Sequence, residues 1–276
     1  MTIQQLFGSN PDSIGVRLQE SSELLDSLPD ASVQLIVTDP PYGISYQSNY
    51  CKAGKRKPIS ADWNFQIGPF LRSAERVLKP GGAIYLFSRW DVYPLWTLNM
   101  PAELKLKNVI AWVKDNHSAG DLTGNFGFKW EAILFMVKGR HQLRGTRWPN
   151  AWEFPRVPFA RQIHPAEKPV ALLERAITAS SDVGDMVVDP FCGSGSTGAA
   201  ACNLGRKAIL GDVDADYVRR ARERLGLPVE QVETEKEIPK DPNWGKGSIG
   251  VCTDALEGVH PEDVAALVEW FRSTRA

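Results

Sequence analysis

Residues 33–42 read V-Q-L-I-V-T-D-P-P-Y, and few folds accommodate such a stretch. Val33, Leu35, Ile36 and Val37 form a short β-branched, apolar run. That is the composition of a strand buried on both faces, as in a parallel sheet. Asp39, Pro40, Pro41 and Tyr42 then stop it, because proline lacks an N–H donor and holds φ near about −65°. The strand therefore ends on one carboxylate, one carbonyl and one aromatic ring, all held stiffly. In open α/β sheets that carboxyl edge is where ligands bind.

Such a trio suits a planar base with an exocyclic amino group. The amine is a poor nucleophile because its lone pair is delocalised into the ring. Tyr42 offers a flat surface for stacking, and the Asp39 carboxylate and Pro40 carbonyl offer acceptors for the two amino hydrogens. Accepting both would bias the nitrogen towards a localised lone pair, by orientation and electrostatic preorganisation. A bare D-P-P is as often only a strand-ending turn with a surface tyrosine. Its place behind a buried strand, with the aromatic attached, favours chemistry.

A second signal lies at 185–197, D-M-V-V-D-P-F-C-G-S-G-S-T. A strand at 186–188 runs into Gly193 and Gly195 and then into a helix over 197–204. Glycines let the backbone turn tightly and approach a ligand closely. A standard phosphate loop is excluded, because Ser196 stands where that motif needs lysine. Residues 207–213 form the next strand, and Asp212 near its end suits ribose hydroxyls. Strand, glycine loop, helix, strand and acid together make a nucleoside-binding unit with a right-handed crossover.

Residues 38–42 resemble the catalytic motif of the DNA amino-methyltransferases, which transfer a methyl group from S-adenosyl-L-methionine to adenine N6 or cytosine N4. D-P-F-C-G-S-G-S-T resembles the cofactor loop of the same family, and H-P-A-E-K-P at 164–169 resembles its H-P-T-x-K-P segment, with Ala166 for the usual threonine. The resemblance implies catalytic roles for Asp39, Pro40, Pro41 and Tyr42. It implies cofactor contacts for Asp189, Pro190, Phe191, Gly193, Gly195 and Thr197, with Asp212 where the family often has glutamate for the ribose, and it sets His164 and Lys168 near the cofactor. Members often carry Gly-Asp near positions 19 and 20; Gln19-Glu20 stands here, so no cofactor role passes to Glu20. The catalytic motif precedes the cofactor loop, the permuted order of the branch called the beta class. The fold this implies is α/β and Rossmann-like, a mostly parallel seven-stranded sheet with helices on both faces, circularly permuted, over residues 1–226. The seven strands are read near residues 14, 33, 83, 109, 131, 186 and 207.

In this family D-P-P-Y accompanies adenine more often and S-P-P-Y cytosine, so adenine N6 in double-stranded DNA is expected, with the base flipped out. Amino-methylation of cytosine or of RNA, or an inactive DNA-binding relative, are the alternatives. No residues show metal-ligand spacing, and no Pro-Cys dipeptide supports a covalent route; Cys192 lies inside the glycine loop.

The formal net charge is −1, so any contact with nucleic acid must come from local basic surface. Two stretches qualify. One is the loop at 43–62 with Lys52, Lys55, Arg56 and Lys57. The other is 138–164, read as a small target-recognition segment, where Lys138, Arg140, Arg144, Arg147, Arg156 and Arg161 face only Glu153 and interleave with Trp148, Trp152, Phe154 and Phe159. A folded crossover with its tryptophans in the core is the competing reading there. Arg89 and Trp90 close the strand at 83–87, and Trp90 is expected to be structural. A Gly/Asn-rich loop at 115–127 is expected to border the site.

The helix over 65–78 ends at K-P-G-G, a stop-and-turn signal. Asp214 is expected to cap the helix at 215–225. Residues 227–276 read as a linker and a C-terminal helix at 261–272. No apolar run reaches the roughly 18 residues of a membrane span, the start of the chain lacks a secretory pattern, and the four cysteines, Cys51, Cys192, Cys202 and Cys252, show no C-x-x-C spacing. The cytoplasm is the expected location. A second copy of the chain and a cognate restriction nuclease are left open as partners.

Overall fold

The computed structural model describes residues 14–42, 65–117, 123–158 and 167–229. All belong to one compact unit, Met1–Lys240; the second, Asp241–Ala276, lies outside the described residues, and with it the expected C-terminal helix. The lysine and arginine loop with Lys52, Lys55, Arg56 and Lys57, and also Phe159, Arg161 and His164, lie outside them too.

The element order is β1 (Ile14–Leu18), α1 (Ser21–Asp26), β2 (Val33–Thr38), α2 (Ile67–Val77), β3 (Leu78–Ser88), α3 (Tyr93–Thr97), β4 (Leu104–Val113), β5 (Trp130–Lys138), β6 (Ala151–Glu153), α4 (Val170–Ser180), β7 (Met186–Asp189), α5 (Ser196–Asn203), β8 (Lys207–Asp212) and α6 (Ala215–Arg224). The strands form one sheet in the order β1-β8-β7-β2-β3-β5-β4-β6. Pairs are parallel except β3 with β5 and β5 with β4.

The apolar runs are continuous because both faces of the sheet are covered. Leu35, Val37, Ala83, Tyr85, Ile133 and Phe135 face a layer formed by α4, α5 and α6. Ile36, Ile84, Leu86, Leu134 and Met136 face the other layer, α1, α2 and α3. Along α2 the buried residues Ile67, Phe70, Leu71, Ala74 and Val77 recur at helical spacing. Asp214 caps α6 as expected, accepting from the N–H groups of Asp216 and Tyr217.

Three departures from the expected sheet have physical causes. It has eight strands among the described residues, not seven, because Ala151–Glu153 pairs parallel with β4. That strand has only three residues and buries Trp152 alone, too little alternation to read. Strand β4 begins at Leu104, earlier than expected, since exposed lysines in L-K-L-K dilute its apolar pattern. The K-P-G-G stretch does not separate helix from strand. It bulges inside β3, where Val33 pairs with Leu78 but Leu35 with Ala83. Gly82 allows this, since a Cβ there would sit 2.9 Å from the Lys79 carbonyl oxygen and 3.1 Å from that of Gln34.

Neighbour β2 leads by sequence to β3 on one side, while β7 leads to β8 on the other. The strand order therefore reverses between β2 and β7, which share only the pairs Leu35↔Val187 and Ile36↔Val188. Beyond that short ladder the chains part and leave a crevice at their carboxyl ends, the position such sheets use for ligands.

Candidate active site

Both sequence motifs end in this crevice. Thr38, Asp39, Phe87, Glu167, Lys168, Asp189, Phe191, Gly193, Ser194 and Thr197 are among its lining residues. Its empty volume is about 420 Å³, partly open to solvent, within the size range of small-molecule sites. A direct bond ties the motifs together: the Thr38 hydroxyl donates to Asp189 Oδ1 at 2.7 Å.

Asp189 organises the turn after β7. Its other oxygen accepts from the Thr197 hydroxyl at 2.6 Å, and the Phe191 N–H donates to Oδ1 at 3.1 Å. The side chain is buried, and burial pushes its carboxyl up to about 6 despite these bonds. Asp212 is pushed up to about 6 by the same cause. It takes the Gly193 N–H at 2.9 Å and the Asp214 N–H at 3.0 Å, so the end of β8 fixes the glycine loop.

Gly195 has φ +77°, and a Cβ on it would lie 3.0 Å from Ala221 Cβ in α6. Gly195→Ala is therefore expected to cost about 2 kcal/mol through strain and contact together, lowering the melting temperature by roughly 5 °C; an unchanged melting curve would contradict this packing.

On the other wall, Asp39 Oδ1 accepts from the Tyr42 hydroxyl at 2.6 Å, and Asp39 Oδ2 accepts from Lys168 Nζ. Tyr42 rests against Trp96 with centroids 5.9 Å apart. Burial, then the Asp39 charge, raises its phenol well above the ordinary value. Phe191 contacts Phe65 edge to face at 5.3 Å. Pro40 is buried behind Asp39, and Pro41 is half-buried. Pro190, Gly195 and Asp212 support the loop and are not among the residues lining the crevice.

Several participants went unread in the sequence. Thr38 opens the first motif, but nothing in the sequence marks its bond to Asp189. Glu167 pairs with Arg224 Nη1 at 2.8 Å, and the same nitrogen reaches Ser196 Oγ at 3.1 Å, bracing the glycine loop from α6. Glu131 lies beside Lys168 and pairs on its other side with Lys114. No local pattern marks these pairs, which are joined only by the fold.

The segment 138–158 does not serve one surface. β5 is antiparallel to β3, so it ends at Lys138 on the edge opposite the crevice. There His141 Nδ1 lies 2.7 Å from the Gly81 carbonyl oxygen, and the Arg144 N–H donates to Ala179 near the far end of α4. Arg144 also pairs with Asp182 at 3.2 Å. Arg140 and Arg144 are thus placed away from Asp39, on the edge opposite the crevice. Arg147 is exposed between the two edges, and β6 then returns the chain so that the Arg156 backbone N–H donates to Asp115 Oδ1 at 3.3 Å. Trp152 is core, 4% exposed, and the Arg175 guanidinium lies over the rings of Trp148, Trp152 and Phe154. Trp90, expected to be structural, is 42% exposed and stacks on Phe128.

Comparison with known proteins agrees with this geometry. The family model described as DNA methylase matches residues 33–223. The chain is 31% identical over 237 residues to the DNA adenine methyltransferase YhdJ of Escherichia coli (strain K12), covering 74% of this chain and 79% of that one. It is 31% identical over 229 residues to the type II methyltransferase M.HpaI of Haemophilus parainfluenzae, covering 73% and 70%. Among solved structures, the M1.HpyAVI–SAM complex superposes with a TM-score of 0.59 at 23% identity, over 77% of this chain and all of that one, 100%. The cytosine-N4-specific PvuII DNA methyltransferase gives 0.59 at 18%, over 77% and 86%. With the model matched from β2 to α6 and both motifs meeting across one crevice, the chain belongs to the DNA methylase family that acts on adenine N6 or cytosine N4.

Proposed function

We propose that this chain transfers a methyl group from S-adenosylmethionine to the exocyclic amino group of a base in double-stranded DNA, adenine N6 in the first place. The observation that carries the reading is the junction of the two motifs: Asp39 and Gly193 line one crevice, and Thr38 is bonded to Asp189. The donor set fits the cofactor. The buried Asp189 carboxylate suits a cationic ligand beside the glycine loop, Asp212 fixes that loop from behind through the Gly193 N–H, and Phe191 offers a ring at the crevice wall. When bound, S-adenosylmethionine supplies an electrophilic methyl group on a sulfonium.

The chain's own residues do the rest. The target amine lies inside a duplex, so the base is rotated out and stacked on Tyr42. The Asp39 carboxylate and the Pro40 carbonyl each accept one amino hydrogen and localise the lone pair on nitrogen. Once that nitrogen has gained its fourth bond, Asp39 accepts the surplus proton. DNA approaches the crevice edge, where Trp90, Phe126, Phe128 and Trp130 are exposed. Stacking on such rings is worth about 1–3 kcal/mol per base and is tolerant of sequence.

Tyr42 holds Asp39 Oδ1 in the free protein, so its hydroxyl competes with a base for that oxygen. Tyr42→Phe keeps the ring and removes the competing hydroxyl; it is expected to transfer methyl at the wild-type rate or faster. Tyr42→Ala loses the stack, and its kcat/KM on DNA falls about 10- to 100-fold. Equal losses in both variants would refute stacking as the role of Tyr42.

Adenine is favoured by D-P-P-Y and by the name of the Escherichia coli relative; cytosine N4 stays as the second reading because the fold is shared with a cytosine-N4-specific enzyme. Mass spectrometry of nucleosides from DNA and RNA of cells expressing the chain decides between them. N6-methyladenine in DNA alone is the expected product; methylated RNA alone would overturn the proposal.

A further inference from the structure

The Asp39 carboxylate is the first member of a row of alternating charge whose other members, Lys168, Glu131 and Lys114, have no part in the reaction as derived above. Lys168 Nζ donates to Asp39 Oδ2 and lies 3.6 Å from Glu131 Oε2; Lys114 Nζ donates to Glu131 Oε1. The four groups come from separate places: the end of β2, the approach to α4, the start of β5 and the end of β4. Antiparallel pairing brings them together, since Glu131 pairs with Trp112 and Ala132 with Ser88. The Lys168 side chain is only 10% exposed. Its ammonium sits 5.0 Å from the Phe87 ring centroid and 5.9 Å from that of Trp112.

The charges facing Lys168 are Asp39 from β2 and Glu131 from β5. Beyond them stand the Tyr42 hydroxyl with Arg89, the Asp189 carboxyl across the crevice, and Lys114. Glu167, its neighbour in sequence, is paired with Arg224. Burial alone would lower the lysine, but Asp39 and then Glu131 outweigh it and hold Lys168 above the ordinary lysine value. Burial alone would raise Glu131, but Lys168 and then Lys114 keep it below the ordinary carboxylate value. Lys168 and Glu131 therefore keep their charges, and the two oxygens of Asp39 differ: Oδ2 is gripped by a buried cation, whereas Oδ1 is covered by the Tyr42 hydroxyl.

We infer that Lys168, backed by Glu131 and Lys114, is a positioning residue that fixes the plane of the Asp39 carboxylate, so that release of Tyr42 alone presents Oδ1 to the base. The inference rests on Asp39 being the acceptor for the amine. Misplacing a reacting group by about 1 Å can cost roughly 100-fold in rate. Lys168→Met is thus expected to lower single-turnover methyl transfer about 100-fold while KM for DNA stays within about threefold. Lys168→Arg, which keeps the charge, recovers about tenfold of that loss.

Glu131→Gln supplies a readout that a merely structural role would not move. In the protein without DNA or cofactor, nitrogen NMR of the lysine Nζ groups is expected to show Lys168 titrating lower than in wild type, because the Glu131 charge that raises it is gone, and the alkaline limb of the transfer rate moves with it. In the Lys168→Met background, Glu131→Gln adds no further change to the pH profile. A Lys168→Met enzyme at wild-type rate, or a Glu131→Gln protein whose Lys168 titrates as before, overturns the inference. Should Lys168→Met fail to fold, Glu131→Gln decides by the same two measurements. A wild-type protein that methylates no nucleic acid sinks the proposed function instead, while the NMR titration still tests the row.

Discussion

Asp39→Ala is expected to lower single-turnover methyl transfer into mixed-sequence DNA by about 100- to 1000-fold, the usual cost of removing one preorganised partner of the reacting atom. S-adenosylmethionine affinity should survive within about threefold, because the glycine loop is held by Asp189, Asp212 and Arg224 and not by Asp39. Asp39→Asn keeps the side-chain volume and one acceptor but leaves the Lys168 cation facing an amide. Its rate should fall between those of the alanine variant and wild type. Tritiated-methyl incorporation measures the first quantity and isothermal titration the second. Wild-type incorporation by the alanine variant would remove Asp39 from the mechanism. Parallel loss of cofactor binding would show that the two walls of the crevice are not independent.

Legibility from sequence followed how local each feature is. Strand β2 and its D-P-P-Y stop could be read because burial on both faces demands an unbroken apolar run and proline ends it within two residues. The turn at 189–197 could be read because a φ of +77° at Gly195 and the close approach of Ala221 both require glycine. Glu131 and Lys114 could not. They stand at the crevice only because β5 runs against β3 and β4 runs back beside it, and strand direction leaves no mark in the residues themselves. The same reversal explains Arg140 and Arg144. Their basic density looked like one surface, but β5 delivers them to the far edge and β6 carries only the later part back. Trp152 misled for a related reason: in a segment rich in arginine it resembles a base contact, yet three residues of pairing with β4 turn it into the core.

Asp189 carries the second large effect, on stability. Its two oxygens accept from the Thr38 and Thr197 hydroxyls and the Phe191 N–H, so Asp189→Ala leaves buried donors without an acceptor and should cost about 3 kcal/mol at pH 8 and more in acid. Asp189→Asn keeps an acceptor and isolates the effect of the charge. The native carboxyl titrates at about 6 against an ordinary 3.8, so the folded state binds the proton more tightly than the unfolded one. Its contribution to stability is then fully present below about pH 4 and is lost as pH rises through about 6, a span worth roughly 3 kcal/mol. Denaturant melts at pH 4.5 and pH 8 should therefore show wild type losing stability relative to Asp189→Asn as pH rises. A pH-independent difference would mean that the buried carboxyl is not perturbed. A charge that weakens the fold at neutral pH is consistent with a site built to receive a cation. A cation bound there favours the ionised acid, so wild-type affinity for S-adenosylmethionine should rise between pH 5 and pH 7 and level off above, with the asparagine variant showing a flatter profile. If affinity instead fell over that range, Asp189 would be a structural acid alone, and the cation would have to be met elsewhere in the crevice.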